Sequence, residues 1–207
     1  MTIRRQPDAK VLSVDIVKAS KIREAPQIRL LSWEDLPHWR RDNHYILKSY
    51  RRTSYSYFES FGSLFYLHNE FFNIHSHLSA AFLFLFFAVY FYLSLANLLA
   101  PFGVSTSTSP LGADILAFAS FFTGAVLCLG TSAAYHTISN HSPSVNQWGN
   151  QLDYVGIVAL ITGSFIPSVY YGFYCNPHLQ RVYWTMVCFL ASVFPKLPLK
   201  TLQPSNP

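Results

Sequence analysis

Charge is what this sequence has least of. Only 12% of its 207 residues are Asp, Glu, Lys or Arg, about half the share usual for a soluble domain. No Lys or Arg occurs between Arg52 and Arg181. So few charges cannot cover a water-facing surface, and the composition points to a membrane protein. Cysteine is also scarce. Cys128, Cys175 and Cys188 stand at unrelated spacings, which yields neither a disulfide framework nor a cysteine metal cluster. Cys128 and Cys188 lie inside apolar runs and read as buried structural thiols. Residues 1–30 lack the apolar core of a secretory signal peptide, so the first internal apolar run is expected to act as its own insertion signal. The formal net charge of +5 would suit nucleic acid if it were spread out. It is not: 12 of the 15 Lys and Arg precede residue 53, and no nucleic-acid partner is expected.

What the chain has instead is long apolar runs. Residues 78–99 (LSAAFLFLFFAVYFYLSLANLL) are uncharged; at about 1.5 Å rise per residue they cross a hydrocarbon core of roughly 30 Å. Residues 115–135 form a second run, rich in small residues (Ala117, Gly124, Ala125, Gly130, Ala133) that permit close helix packing. Residues 154–174 form a third, in which Pro167 frees a carbonyl that a neighbouring helix must satisfy. A fourth run, 182–194, rises only about 20 Å and passes into a proline-rich tail at 195–207. The fold class that follows is an all-α transmembrane helix bundle. Residues 1–30 read as a flexible basic tail. Residues 31–77 read as an interfacial amphipathic region, in which SWEDLP resembles a helix start capped by Ser32 and Asp35. The basic N-terminal region is expected in the cytosol, and that places the end of the second span and the start of the third on the cytosolic side.

Three polar residues mark that side. Ser132 and His136 are four apart and share one helical face. Asp153 stands at the mouth of the third run. Together they can hold a divalent metal, with imidazole suiting zinc and Asp153 acting directly or by orienting His136 or a bound water. The plainer alternative makes His136 a helix-end hydrogen-bonding group and Asp153 the cap of the third helix. A second cluster, HNEFFNIHSH at residues 68–77, precedes the first run. Glu70, Asn73 and His77 would share one face, while His75 points elsewhere. Capping and interface anchoring compete there with a direct ligand role.

HNExxNIxxHL before the first run, SxxYH closing the second and LDYxGIxxLIxGSFxPxxYYGFYC across the third resemble the progestin and adipoQ receptor family. This is the haemolysin III-related superfamily that includes the adiponectin receptors, and the resemblance covers about residues 30–194. It implies seven transmembrane helices, of which this chain holds the first three to four, and a cytosolic N-terminus. It also implies a zinc ion near the cytosolic side, held by a histidine ending helix two and two histidines of an HxxxH motif in helix seven. Matched residue by residue, His136 is the helix-two ligand. Ser132 and Asp153 match the family's serine and aspartate, and a catalytic part for them would follow from ceramidase-like hydrolysis of a lipid amide. The chain departs from the family in having no HxxxH anywhere and in losing family character after Phe194. This reads as a C-terminally truncated form, from altered splicing, a shifted frame or a gene-model error.

The family resemblance implies receptor-type signalling and zinc-dependent lipid metabolism or homeostasis in the full-length form. The competing expectation is a truncated, non-catalytic membrane protein that associates with full-length partners. A transporter is disfavoured, because no paired, broken-helix halves are visible. Expected partners are the lipid bilayer, a lipid or sterol ligand, and like or related chains. The expected location is the plasma membrane or endoplasmic reticulum.

Overall fold

A computed structural model describes residues 30–102 and 112–193. The tail expected over most of 1–30 and the proline-rich tail at 195–207 lie outside the described residues. The described chain is helical, with five α-helices: α1 (Tyr57–Gly62), α2 (Phe71–Leu99), α3 (Gly112–Ile138), α4 (Pro143–Gly172) and α5 (Pro177–Val193). Among the described residues the one β-type pairing is an isolated antiparallel bridge, Leu31 to Tyr50. Helices α2, α3 and α4 are long and apolar enough to cross a membrane.

Helix α3 lies between α2 and α4, and α5 packs on α4. The α2–α3 contact is aromatic: Phe84 meets Phe121 at 5.9 Å and Phe91 meets Phe118 at 5.0 Å between ring centroids. The α3–α4 contact is built from small residues instead. A Cβ at Gly124 would lie 2.7 Å from the Ala159 carbonyl oxygen, one at Gly163 would meet the Ser120 carbonyl, and one at Gly156 would meet Thr131 and Cys128. The two backbones therefore touch, as helices in lipid do when small residues line the seam. Pro167 lies inside α4 and leaves the Gly163 carbonyl without its helical donor. The Ser120 hydroxyl, on α3, lies 3.2 Å from that oxygen and shares its one proton between it and the Ala117 carbonyl of its own helix, at 2.7 Å. At the far end of α4, Gln180 of α5 donates from Nε2 to the Tyr170 and Phe173 carbonyls, each at 3.0 Å.

Several helix boundaries differ from the hydropathy reading. Helix α2 begins at Phe71, seven residues before the apolar run, so the HNEFFNIHSH stretch is mostly inside the helix. Helix α4 begins at Pro143: Ser142 is its cap, accepting from the Val145 N–H at 3.4 Å, and Pro143 fills the first turn. Asp153 is thus a mid-helix residue and caps nothing. Helix α5 starts at Pro177, five residues before the fourth apolar run. The SWEDLP stretch does not start a helix. Ser32 donates from Oγ to Asp35 at 2.7 Å, but the chain there stays a turn, followed by an extended Pro37 and a short 3-10 helix at His38–Arg40. Pro37 disfavours helical geometry at Leu36, which ends the turn. Cys128 is half-buried against α4, but Cys188 faces outward and is exposed.

The α3–α4 seam gives a direct test. Gly163→Val should force the backbones apart, cost about 1–3 kcal/mol by overpacking, and lower the thermal unfolding midpoint in detergent. Gly130→Ala, where nothing lies within 4 Å of the added methyl, should leave that midpoint unchanged.

Candidate functional site

The polar residues gather where α2 begins, α3 ends and α4 has run three turns. His136 stands two residues before the end of α3. Its Nδ1 lies 3.1 Å from Oε2 of Glu70, the residue that precedes α2. Its Nε2 lies 3.9 Å from Oδ2 of Asp153 on α4. One turn back on α3, the buried hydroxyl of Ser132 is 2.8 Å from Nδ1 of His77 on α2. The His77 and His136 rings are 6.4 Å apart, edge to face. Ser132, His136 and Asp153 are thus brought to one place by three packed helices, and two further residues, Glu70 and His77, join them.

Glu70 is held from several sides. Its Oε1 accepts from Asn69 Nδ2 at 3.1 Å and its Oε2 from Asn73 Nδ2 at 3.2 Å. Burial pushes the carboxyl up, but the hydrogen bond and charge of His136, then Asn73 and Arg51, outweigh it and hold the group below the ordinary carboxylate range. Glu70, His136, Asn69, Tyr50, Tyr135 and Asn146 line a polar cavity of about 80 Å³. As the periodicity suggests, Glu70, Asn73 and His77 face α3, while His75 turns away to the Phe71 carbonyl, 2.9 Å from its Nδ1.

The stretch before α2 reaches the same place. The Arg51 guanidinium is fully buried. It donates to the Thr137 carbonyl at 2.7 Å, the His136 carbonyl at 2.6 Å, Ser63 Oγ at 2.8 Å and Ser139 Oγ at 3.1 Å. Burial, with a smaller contribution from Arg40, lowers it to about 10. The Ser54 and Tyr55 N–H groups donate to the Asn140 and His141 carbonyls, both at 3.1 Å, and Asn140 Nδ2 returns a bond of 2.9 Å to the Arg52 carbonyl. Sequence reasoning missed Glu70 as a partner of His136, and missed Arg51 altogether. The signal for Glu70 is its helical spacing to Asn73 and His77 in the HNExxNIxxHL stretch. For Arg51 no local pattern exists, because its partners are 85 and 86 residues away.

The donors present can be set against a zinc ion. His136 Nε2 and Asp153 supply two; His77 is bonded through Nδ1 to Ser132, and its ring stands 6.4 Å from that of His136. Among the described residues no group of three His, Cys, Asp or Glu is arranged to hold a metal. Protein zinc sites take three or four protein ligands, so these residues alone do not make one.

A bundle with three membrane-length apolar helices and one polar, histidine-centred end is that of an integral, multi-pass membrane protein. Residues 65–200 match the family described as "Haemolysin-III related". The match runs six residues past Phe194, further than the family character read from the sequence. The chain belongs to the haemolysin-III-related, progestin and adipoQ receptor family. It is similar to "Progestin and adipoQ receptor-like protein 1" of Caenorhabditis elegans, 37% identical over 90% of this chain and 42% of that protein. It is also similar to "ADIPOR-like receptor IZH2" of Saccharomyces cerevisiae, 35% identical over 92% of this chain and 58% of that one. "Heptahelical transmembrane protein 1" of Arabidopsis thaliana is 35% identical over 74% of this chain and 45% of its own length. The chain thus spans about half the length of these curated relatives.

His68 gives the pH test of the junction. It is buried, accepts at Nδ1 from the Glu70 N–H at 3.1 Å, and is held down to about 4 by burial and then by Arg51. A freed histidine titrates near 6.5. The detached state therefore binds the proton first, and the stability from neutral His68 is full above about pH 6.5 and lost as pH falls toward 4. Limited proteolysis after residue 30 should accelerate over that window. His68→Asn, whose side-chain oxygen can take over the acceptor role, should flatten the response.

Proposed function

We propose that the chain serves as a receptor-type membrane protein whose cytosolic-side histidine cluster contributes to a zinc site completed by ligands beyond the described residues. The observation that carries this reading is the packing of His136 between Glu70 and Asp153, at 3.1 and 3.9 Å on its two ring nitrogens. An imidazole with one nitrogen held and the other turned to a carboxylate is arranged as a metal ligand with a neighbouring acid. Receptor function is supported by relatives that carry the word in their names. The N-terminal side is assigned to the cytosol because 12 of the 15 Lys and Arg precede residue 53. The membrane is assigned to the plasma membrane or endoplasmic reticulum. Hydrolysis of a lipid amide, with Ser132 and Asp153 at the site, belongs to the completed site and not to these residues alone. A lipid or sterol ligand is supported by an apolar groove of about 410 Å³ between α4 and α5, lined by Ile157, Ile161, Phe165, Met186 and Leu190.

A second reading, association with longer family members without metal chemistry of its own, is favoured by the small donor set. Metal analysis separates the two. The 207-residue chain, purified in detergent, should retain far less than one zinc per molecule. Joined to the C-terminal half of a heptahelical relative, it should retain about one. In that joined protein His136→Ala should lower retained zinc at least about tenfold, while Cys175→Ala should not. Equal retention in the two variants would overturn the zinc assignment, and an absence of zinc in the joined protein would favour the associating role.

A further inference from the structure

His136 is gripped twice by the segment that precedes α2, once on its main chain and once on its ring. The last four carbonyls of an α-helix have no donor within the helix. In α3 these belong to Tyr135, His136, Thr137 and Ile138. The Ile138 carbonyl accepts from the His141 N–H at 2.9 Å. The His136 and Thr137 carbonyls accept from Arg51. None of the side chains that Arg51 bonds is a carboxylate; the partial negative charge of the helix end takes that place. Its own carbonyl accepts from Arg40 Nη1, which is itself buried. The chain between the two grips is anchored as well, since the Asn69 N–H donates to the Ser49 carbonyl at 2.9 Å. Glu70 then meets Nδ1 of the same histidine.

We propose that Arg51 and Glu70 are positioning residues for His136: Arg51 fixes the main chain of its helical turn, and Glu70 fixes its ring with the proton on Nδ1, so that a bare Nε2 is presented toward Asp153. Both neighbours are carboxylates, which accept and cannot donate. Glu70 is within hydrogen-bond reach of Nδ1 at 3.1 Å and Asp153 is beyond it from Nε2 at 3.9 Å, so a neutral ring carries its proton on Nδ1. An arginine fork spans two successive carbonyls and a lysine cannot. The segment before the first span is thereby part of the site. The zinc reading above supplies the use of the bare nitrogen, but the orientation is measurable without any metal.

The experiment uses the 207-residue chain with nitrogen-15 in its histidines, in detergent micelles with chelator, at mildly alkaline pH. Long-range proton–nitrogen correlation distinguishes the protonated from the bare ring nitrogen, and His136→Gln identifies the signal. The expected wild-type result is a single tautomer protonated on Nδ1. Glu70→Gln, which retains an acceptor oxygen, should keep it. Glu70→Ala should give a mixture while the helix content stays unchanged. Arg51→Met should broaden or split the His136 signal, and Arg51→Lys should restore it in part. A wild-type ring protonated on Nε2, or a Glu70→Ala ring unchanged from wild type, would overturn the Glu70 role. An Arg51→Met chain that folds with the His136 signal as sharp and single as in wild type would overturn the Arg51 role. If Arg51→Met does not fold, Arg51→Lys decides: a folded Arg51→Lys chain with a broadened His136 signal supports the role, and one with a wild-type signal overturns it. Zinc retention that ignores His136 would remove the metal reading and leave these results standing.

Discussion

The contact on which the rest depends is the approach of α3 to α4. Gly124, Gly156 and Gly163 leave no room for a Cβ, so the backbones of the two helices meet directly. In lipid no hydrophobic force drives helices together, and close packing has to supply the attraction. The connection between them, from Ser139 to Ser142, is short, and it fixes the helices as antiparallel neighbours. With the seam closed, Asp153 has one place to be, and that place is beside His136. Widening the seam would separate the acid from the histidine before it unfolded either helix.

A second constraint sits at the end of that seam. Arg51 is fully buried and bonded to the last turn of α3. Burying a guanidinium is costly unless its donors find acceptors. The free carbonyls of the helix end and two serine hydroxyls serve Nη1 and Nη2, while Nε has no partner among the described residues. The same contact therefore satisfies the helix and secures the segment before α2. Polar chemistry at this end and apolar packing in the spans are joined through a few residues: Arg51, Glu70, His136 and Asp153.

The spans were legible because hydropathy is a local property, and α2, α3 and α4 each contain the run that announces them. Their ends were less so. Hydropathy marks where a helix enters hydrocarbon, not where its backbone begins to coil. Asp153 looked like a cap because the apolar run starts at Tyr154, while the true start signal, Ser142 followed by Pro143, lay ten residues earlier in plain view. In the site, Ser132 and His136 were readable from a four-residue spacing and Asp153 from its place at the mouth of the third run, and the resemblance to a known family added roles for all three. Glu70 and His77 were visible as polar residues on one face, but what that face meets is a tertiary fact. Arg51 carried no local signature, since a buried arginine and a solvated one look alike in a basic stretch.

Pro167 has a consequence beyond the bend a proline imposes. It removes the donor that would have served the Gly163 carbonyl, and the Ser120 hydroxyl of α3 supplies a partial replacement, shared with the Ala117 carbonyl. Hydrocarbon offers no water to make good an error there. If α4 slid by one turn against α3, the Gly163 carbonyl would lose its partner across the seam, with no water to replace it. The proline and the serine together work as a notch and key that admit one vertical alignment of the two helices, and with it one height of Asp153 against His136.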